Sequence, residues 1–159
     1  VGRVTSTGGK EERERDPSSK GDFLFNPMRD PSQKRRVVLA GLADINEDRT
    51  DSTREFRELL KRGNVELSGY IDLTDDKGPP KLNGEGVTKK TDYVIIGDGL
   101  DDVNHPRAKE DGGKFKEAFT KLVNEQRDKG RNEAIPVISL RRYLQMIGYA
   151  PPRVEKSPR

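Results

Sequence analysis

The apolar positions of this chain fall into short runs that alternate between strand-like and helix-like spacing. Arg36-Val-Val-Leu-Ala-Gly41 is a brief apolar run closed by glycine, which predicts a strand. Phe56, Leu59 and Leu60 then recur at i, i+3 and i+4 as one helical stripe. Ser52-Thr-Arg-Glu55 ahead of them predicts a capping box, and Gly63 a stop. Val65 to Leu73 predicts a second strand, with Val65, Leu67, Gly69, Ile71 and Leu73 sharing one face. Tyr93 to Ile96 is apolar throughout and stops at Gly97, so it predicts a strand covered on both faces within a central parallel sheet. Phe115, Ala118, Phe119, Leu122 and Val123 keep helical spacing inside the clearest helix, 114–129. Pro136 to Ile138 predicts the fourth strand, and Ser139 the N-cap of a last helix carrying Leu140, Tyr143, Leu144 and Ile147. Gly148 and Pro151-Pro152 end that helix.

The predicted order is therefore β-α-β-β-α-β-α. Short apolar strands alternating with amphipathic helices predict a three-layer α/β domain, with a four-stranded parallel sheet flanked by helices and right-handed crossovers. Two polar stretches, 74–88 and 97–113, read as long loops. Residues 1–35 are rich in Gly, Ser, Pro and alternating charge and read as a flexible N-terminal lead. Its one apolar island, Phe23-Leu24-Phe25, docks either on the domain or on a partner. The domain spans 36–150, and 151–159 reads as a flexible basic tail. A chain opening at Val1 rather than Met is expected of a piece of a longer, multidomain parent.

Composition narrows the function classes. Only 30% of residues are hydrophobic and 37% are charged, too polar for the whole length to pack. No run of 18 apolar residues is present, so no membrane span is predicted, and the N-terminus lacks the apolar stretch of a secretory signal. Zero cysteines exclude disulfides, zinc–cysteine sites and thiol nucleophiles, which fits an intracellular protein of cytoplasm, nucleoid or nucleus. The net charge of +3 sits in the termini: residues 1–36 carry nine Lys/Arg against six Asp/Glu, and 149–159 three against one. That leaves 37–148 with 19 basic and 21 acidic residues, so a whole-domain electrostatic grip on nucleic acid is not expected.

The stretch VTKKTDYVIIGDG (87–99) resembles the central motif of BRCT domains, especially those of bacterial NAD-dependent DNA ligases. LLKRGNVELSG (59–69), GGKFKEA (112–118) and AIPVISLRRYLQMIGY (134–149) resemble the family's first turn and second strand, second-helix start, and last strand and helix. The likeness covers about residues 36–149 and implies a BRCT-like, non-catalytic module of DNA repair or replication that binds phosphorylated ends or tails. The chain departs from the family in several places, and its two polar stretches, 74–88 and 97–113, are longer than usual. It has no Trp, so Tyr143 or Leu144 takes that place on the last helix, and Gly63-Asn64 replaces the usual Gly-Gly turn.

In that family a Ser or Thr closing the first strand, the next backbone N–H and a Lys opening the second helix hold one phosphate. The matching positions are Ala40, Gly41 and Lys114. Lys114 at a helix N-terminus suits an anion, and Gly41 allows close approach, but Ala40 brings no hydroxyl. The pocket either binds phosphate through Gly41 and Lys114 or is degenerate and serves protein contacts. Arg54, Lys89 and Lys90 are candidate nucleic-acid or partner contacts, against the plainer reading as solvated charges.

Other chemistry is weakly supported. Asp44, Asn46, Asp48 and Glu55 match part of a calcium-loop spacing, but Arg49 occupies the position that needs glycine. Asp98, Asp101 and Asp102 could attract Mg²⁺ but read equally as an acidic loop. His105, alone and before Pro106, reads as exposed and inert. Gly97-Asp-Gly99 lacks the third glycine and the immediate helix of a dinucleotide fingerprint. No cofactor, metal or catalytic pair is expected. The rival from another class is a nucleotide-binding enzyme on a Rossmann-like or flavodoxin-like fold.

Overall fold

The computed structural model describes residues 34–75 and 78–151. Phe23-Leu24-Phe25 and nearly all of the predicted tail lie outside the described residues. Strands β1 (Arg35–Ala40), β2 (Val65–Asp72), β3 (Lys81–Gly84), β4 (Tyr93–Ile96) and β5 (Val137–Ser139) form one sheet. Its order is β3-β2-β1-β4-β5. Helices α1 (Thr53–Arg62), α2 (Lys114–Asn132) and α3 (Leu140–Met146) cover it, and a 3-10 segment, Pro106–Gly113, precedes α2.

The α/β class holds, and β1, β2, β4 and β5 are parallel as their apolar runs require. The expected four-stranded, all-parallel sheet needs correction, because β3 adds a fifth, antiparallel strand beside β2. It lies inside the stretch that read as a polar insert. Lys-Leu-Asn-Gly has no apolar alternation to announce a strand, and pairing with β2 makes it one.

The chain leaves β1 toward β2 but leaves β4 toward β5, in opposite directions across the sheet. Right-handed crossovers then put α1 and α2 on opposite faces. On one face Phe56 and Leu60 of α1 and Leu140, Tyr143 and Leu144 of α3 pack on Val37, Leu39 and Ile95. On the other, Phe115 and Phe119 of α2 pack with Ile71, Leu42, Leu100 and Val103. Leu100, Val103 and Ala108 are buried, so the segment that read as a second polar loop supplies part of the core. Its Arg107 is buried too, stacked 3.8 Å from the Phe115 ring centre and donating to the carbonyls of Asp75 (2.7 Å) and Gly78 (2.8 Å). Among the described residues no helix is long and apolar enough to cross a membrane.

Two local expectations change. The single face predicted for 65–73 divides, because the pairing with β1 skips Ser68 as a bulge between Val37 and Val38. Val65 and Leu67 face the α1 side while Ile71 and Leu73 face α2, since one extra residue reverses every side chain beyond it. The capping box is not formed. Ser52 makes no capping bond, and the Asp51 carboxylate accepts the Thr53 N–H at 3.0 Å. Ser139 does cap α3, accepting the Arg142 N–H at 3.3 Å.

At the Gly63-Asn64 turn, Asn64 takes the left-handed backbone, with φ of 56°. On the last helix both Tyr143 and Leu144 are buried, and Tyr143 is the more deeply placed. It is fully buried, edge-on to Phe56 (6.1 Å) and Tyr93 (6.5 Å). Its hydroxyl has no hydrogen-bond partner among the described residues, and burial, then Tyr93 and Asp92, push its pKa well above the ordinary range.

Candidate functional site

The four parallel strands begin at one end of the domain and finish at the other. At the starting end charge is paired. Asp92, just before β4, accepts the Arg36 N–H at 2.7 Å and bonds the Arg35 guanidinium at 3.2 Å. The Arg36 guanidinium reaches Glu66 (3.4 Å) and Glu85 (3.0 Å). Lys34 bonds Glu66 and holds its carboxyl below the usual range. The wording TKKT forms the turn entering β4: the Thr91 N–H donates to the Thr88 carbonyl (2.9 Å), and the Thr88 N–H to the buried Thr91 hydroxyl (3.0 Å). Lys89 and Lys90 stand exposed at its tip.

At the finishing end the segments leaving β1 and β4 touch. The Leu42 N–H donates to the Asp98 carbonyl at 2.9 Å, and the Asp98 N–H returns to Leu42 at 2.7 Å. Two glycines permit this. A Cβ on Gly97 would sit 2.1 Å from the Leu42 carbonyl oxygen. One on Gly41, whose φ is +127°, would sit 2.8 Å from the Gly97 backbone. Gly41 is therefore buried against the chain itself, and Ala40, beside β4 in the sheet, is fully buried with Val94 and Ile135.

Lys114 is exposed where α2 begins, at this same end. Neither Gly41 nor Lys114 lines the clefts found here. Arg54 is exposed on the first turn of α1, beside Arg57, whose guanidinium lies 4.7 Å over the Tyr70 ring and donates to its hydroxyl. The structure thus sets Gly41, Lys114 and Arg54 at the finishing end and Lys89 and Lys90 at the opposite one.

The principal cleft is at the finishing end. It measures about 860 Å³ and opens where the loops after β1 and β4 diverge. Ile45, Leu144 and Tyr149 provide apolar lining, with Asp44, Asp98 and Asp102 beside them. Burial raises the Asp98 pKa above the ordinary carboxyl range, and the charges of Asp44 and Asp102 raise it further. The carboxylates are held in place by the backbone. Asp98 accepts the Asp44 N–H (3.1 Å), Asp44 accepts those of Asp48 (3.2 Å) and Arg49 (2.9 Å), and Asp102 that of Gly99 (2.9 Å). Asp101 pairs with Lys116.

Asp44 thus organises its own loop, in the place a calcium loop would need its ligands. Among the described residues no three His, Cys, Asp or Glu converge to hold a metal. His105 is half-buried rather than exposed, and its Nδ1 accepts the Arg107 N–H at 3.3 Å at the head of the 3-10 segment. The sequence named the carboxylates of 98–102 but not their meeting with Asp44, because the contact joins residues more than fifty positions apart. Arg107 was missed altogether, being one more charge in a polar stretch. No protein-family model, no curated protein and no solved structure matches the chain.

Proposed function

We propose that this chain is a BRCT-like, non-catalytic module that binds a protein partner within an intracellular DNA repair or replication assembly. The fold side of this reading is supported by an α/β sheet whose four parallel strands carry helices on both sides. The DNA context comes from that resemblance alone.

One observation favours a protein over a phosphate: the chain's own Gly97-Asp98 segment closes over Gly41, and carboxylates surround the adjoining cleft. An incoming phosphate would meet Asp44, Glu47, Asp98, Asp101 and Asp102 in that lining against two cations, Arg49 and Arg141. It would also lack the hydroxyl that Ala40 cannot supply, a charge-assisted bond worth about 1.5–3 kcal/mol. The test is a titration of labelled duplex DNA, with and without a 5′-phosphate, on wild type and Lys114→Ala at two salt concentrations. The expected result is no dependence on the phosphate and equal behaviour of the variant. Phosphate-dependent binding that disappears in Lys114→Ala overturns the protein-binding reading in favour of a DNA-end module.

A second reading, a nucleotide-binding enzyme, draws on the position of the cleft. Open α/β sheets hold ligands where successive connections leave in opposite directions, and β1 and β4 make that point here. The acidic lining opposes a nucleotide's phosphates. Thermal melting with common nucleotides and Mg²⁺ separates the two, and a nucleotide-dependent rise in Tm would support the enzyme.

A further inference from the structure

We propose that the cleft at the finishing end of the strands docks a basic peptide segment of the partner, with an apolar anchor among its Lys and Arg side chains. This deepens the protein-binding reading and rests on it.

The first argument is shape. At about 860 Å³ the cleft has room for several side chains, and Ile45, Leu144 and Tyr149 give it an apolar surface for an anchor. The second is unbalanced charge. Among the described residues no Lys or Arg lies within ion-pair distance of Asp44, Asp98 or Asp102, whereas Asp101 already has Lys116. Arg49 and Arg141 line the cleft without closing onto these carboxylates. Like charges gathered beside a half-buried Asp98 repel in a medium less screening than water, and an entering cation removes that repulsion.

The third argument is the chemistry of the acceptors. Both oxygens of Asp44 and one each of Asp98 and Asp102 already receive backbone N–H groups, so their positions are set. No compact set of ligands converges for a metal ion among the described residues. Guanidinium and ammonium groups need no such convergence. Each carries several donors on a long stem, and the stem covers apolar surface while the head reaches a carboxylate. An anionic segment would be repelled by the same wall.

The test is NMR titration of the ¹⁵N-labelled full chain with a capped pentapeptide, a central tryptophan flanked by two arginines and two lysines. We expect amide shifts clustered in 44–49, 97–102 and 140–149, and none with a Glu/Asp counterpart of the peptide. Asp98→Asn combined with Asp102→Asn should weaken binding at least tenfold, with melting curves confirming the fold. Arg141→Ala, which removes a competing cation from an exposed position, should tighten it. Replacing the tryptophan by alanine should weaken it.

Absent shifts, shifts centred elsewhere, or affinity unchanged in both protein variants would overturn the proposal. So would perturbation of the same amides by a nucleoside triphosphate with Mg²⁺ and not by the peptide. A failed peptide titration alongside phosphate-independent DNA behaviour leaves the protein-binding reading standing. Phosphate-dependent binding through Lys114 would remove that reading whatever the peptide does.

Discussion

The two ends of the parallel sheet handle charge in opposite ways. At the starting end Arg35, Arg36 and Lys34 meet Asp92, Glu66 and Glu85, and the ion pairs tie β1 to its neighbours. At the finishing end Asp44, Asp98 and Asp102 share one cleft with no cation on them among the described residues, and Asp98 is held where ionisation is disfavoured. Compensated charge holds strands in register. Uncompensated charge beside an apolar surface costs the fold something and leaves a place for a ligand to relieve it. The proposed docking site rests on this difference, and it does not use the Gly41–Lys114 pair that the motif pointed to.

The contrast can be broken most severely at Gly97. Gly97→Ala drives a Cβ into the Leu42 carbonyl oxygen, so the crossing of the two loops must open. A loss of about 3 kcal/mol is expected, at the upper end of overpacking costs, and denaturant unfolding measures it. An unchanged midpoint would mean that the closure over Gly41 contributes nothing. At the other end Asp92→Ala strips the acceptor from the Arg36 N–H and removes the Asp92 bond to the Arg35 guanidinium. About 2 kcal/mol should be lost, because a part-buried donor is left unsatisfied, and the loss should appear as a lower midpoint at unchanged slope.

Tyr143→Phe goes the other way. It removes a hydroxyl that is buried without a partner among the described residues and keeps the ring contacts with Phe56 and Tyr93. A gain of about 1 kcal/mol is expected, read as a higher Tm, and a fall in Tm would mean that the hydroxyl has a partner in solution.

The smallest effect is expected at Asp98, and it is specific in sign. Its folded pKa is raised, so the fold favours the protonated form. That contribution is fully present below the ordinary carboxyl pKa and is lost as pH rises through the elevated value. Asp98→Asn, which keeps an acceptor for the Asp44 N–H, should therefore raise Tm slightly at neutral pH. The gain should vanish in acid. Solvent around the half-exposed group screens the effect, so a few tenths of a kcal/mol is the expected order. A gain that persists unchanged in acid would separate it from the repulsion among Asp98, Asp44 and Asp102.

Most of the architecture was legible because its signals are local. Apolar runs of four to six residues and i, i+3, i+4 stripes are set by which side chains share a face. They located β1, β2, β4, β5 and the three helices of the described residues. The misses are long-range. β3 has the composition of a loop, and β2 makes it a strand. The bulge at Ser68 reverses half of β2 because its hydroxyl donates to the Val37 carbonyl and its own carbonyl accepts the N–H groups of Glu85 and Gly86. Asp51 rather than Ser52 caps α1, while Ser52 is buried and its N–H donates to the Ala43 carbonyl.

The sequence by itself determined the α/β class, the parallel core and the sites of helix and strand, since burial periodicity is written residue by residue. It also named Asp98, Asp101 and Asp102, as carboxylates that could attract Mg²⁺ or simply form an acidic loop. Only the tertiary structure decided that Asp44 stands beside Asp98, that Gly97 covers Gly41, and that Lys89 and Lys90 lie at the far end from Lys114. Those facts depend on which strand ends become neighbours, and the pairing of β1 with β4 sets that across more than fifty residues of intervening chain.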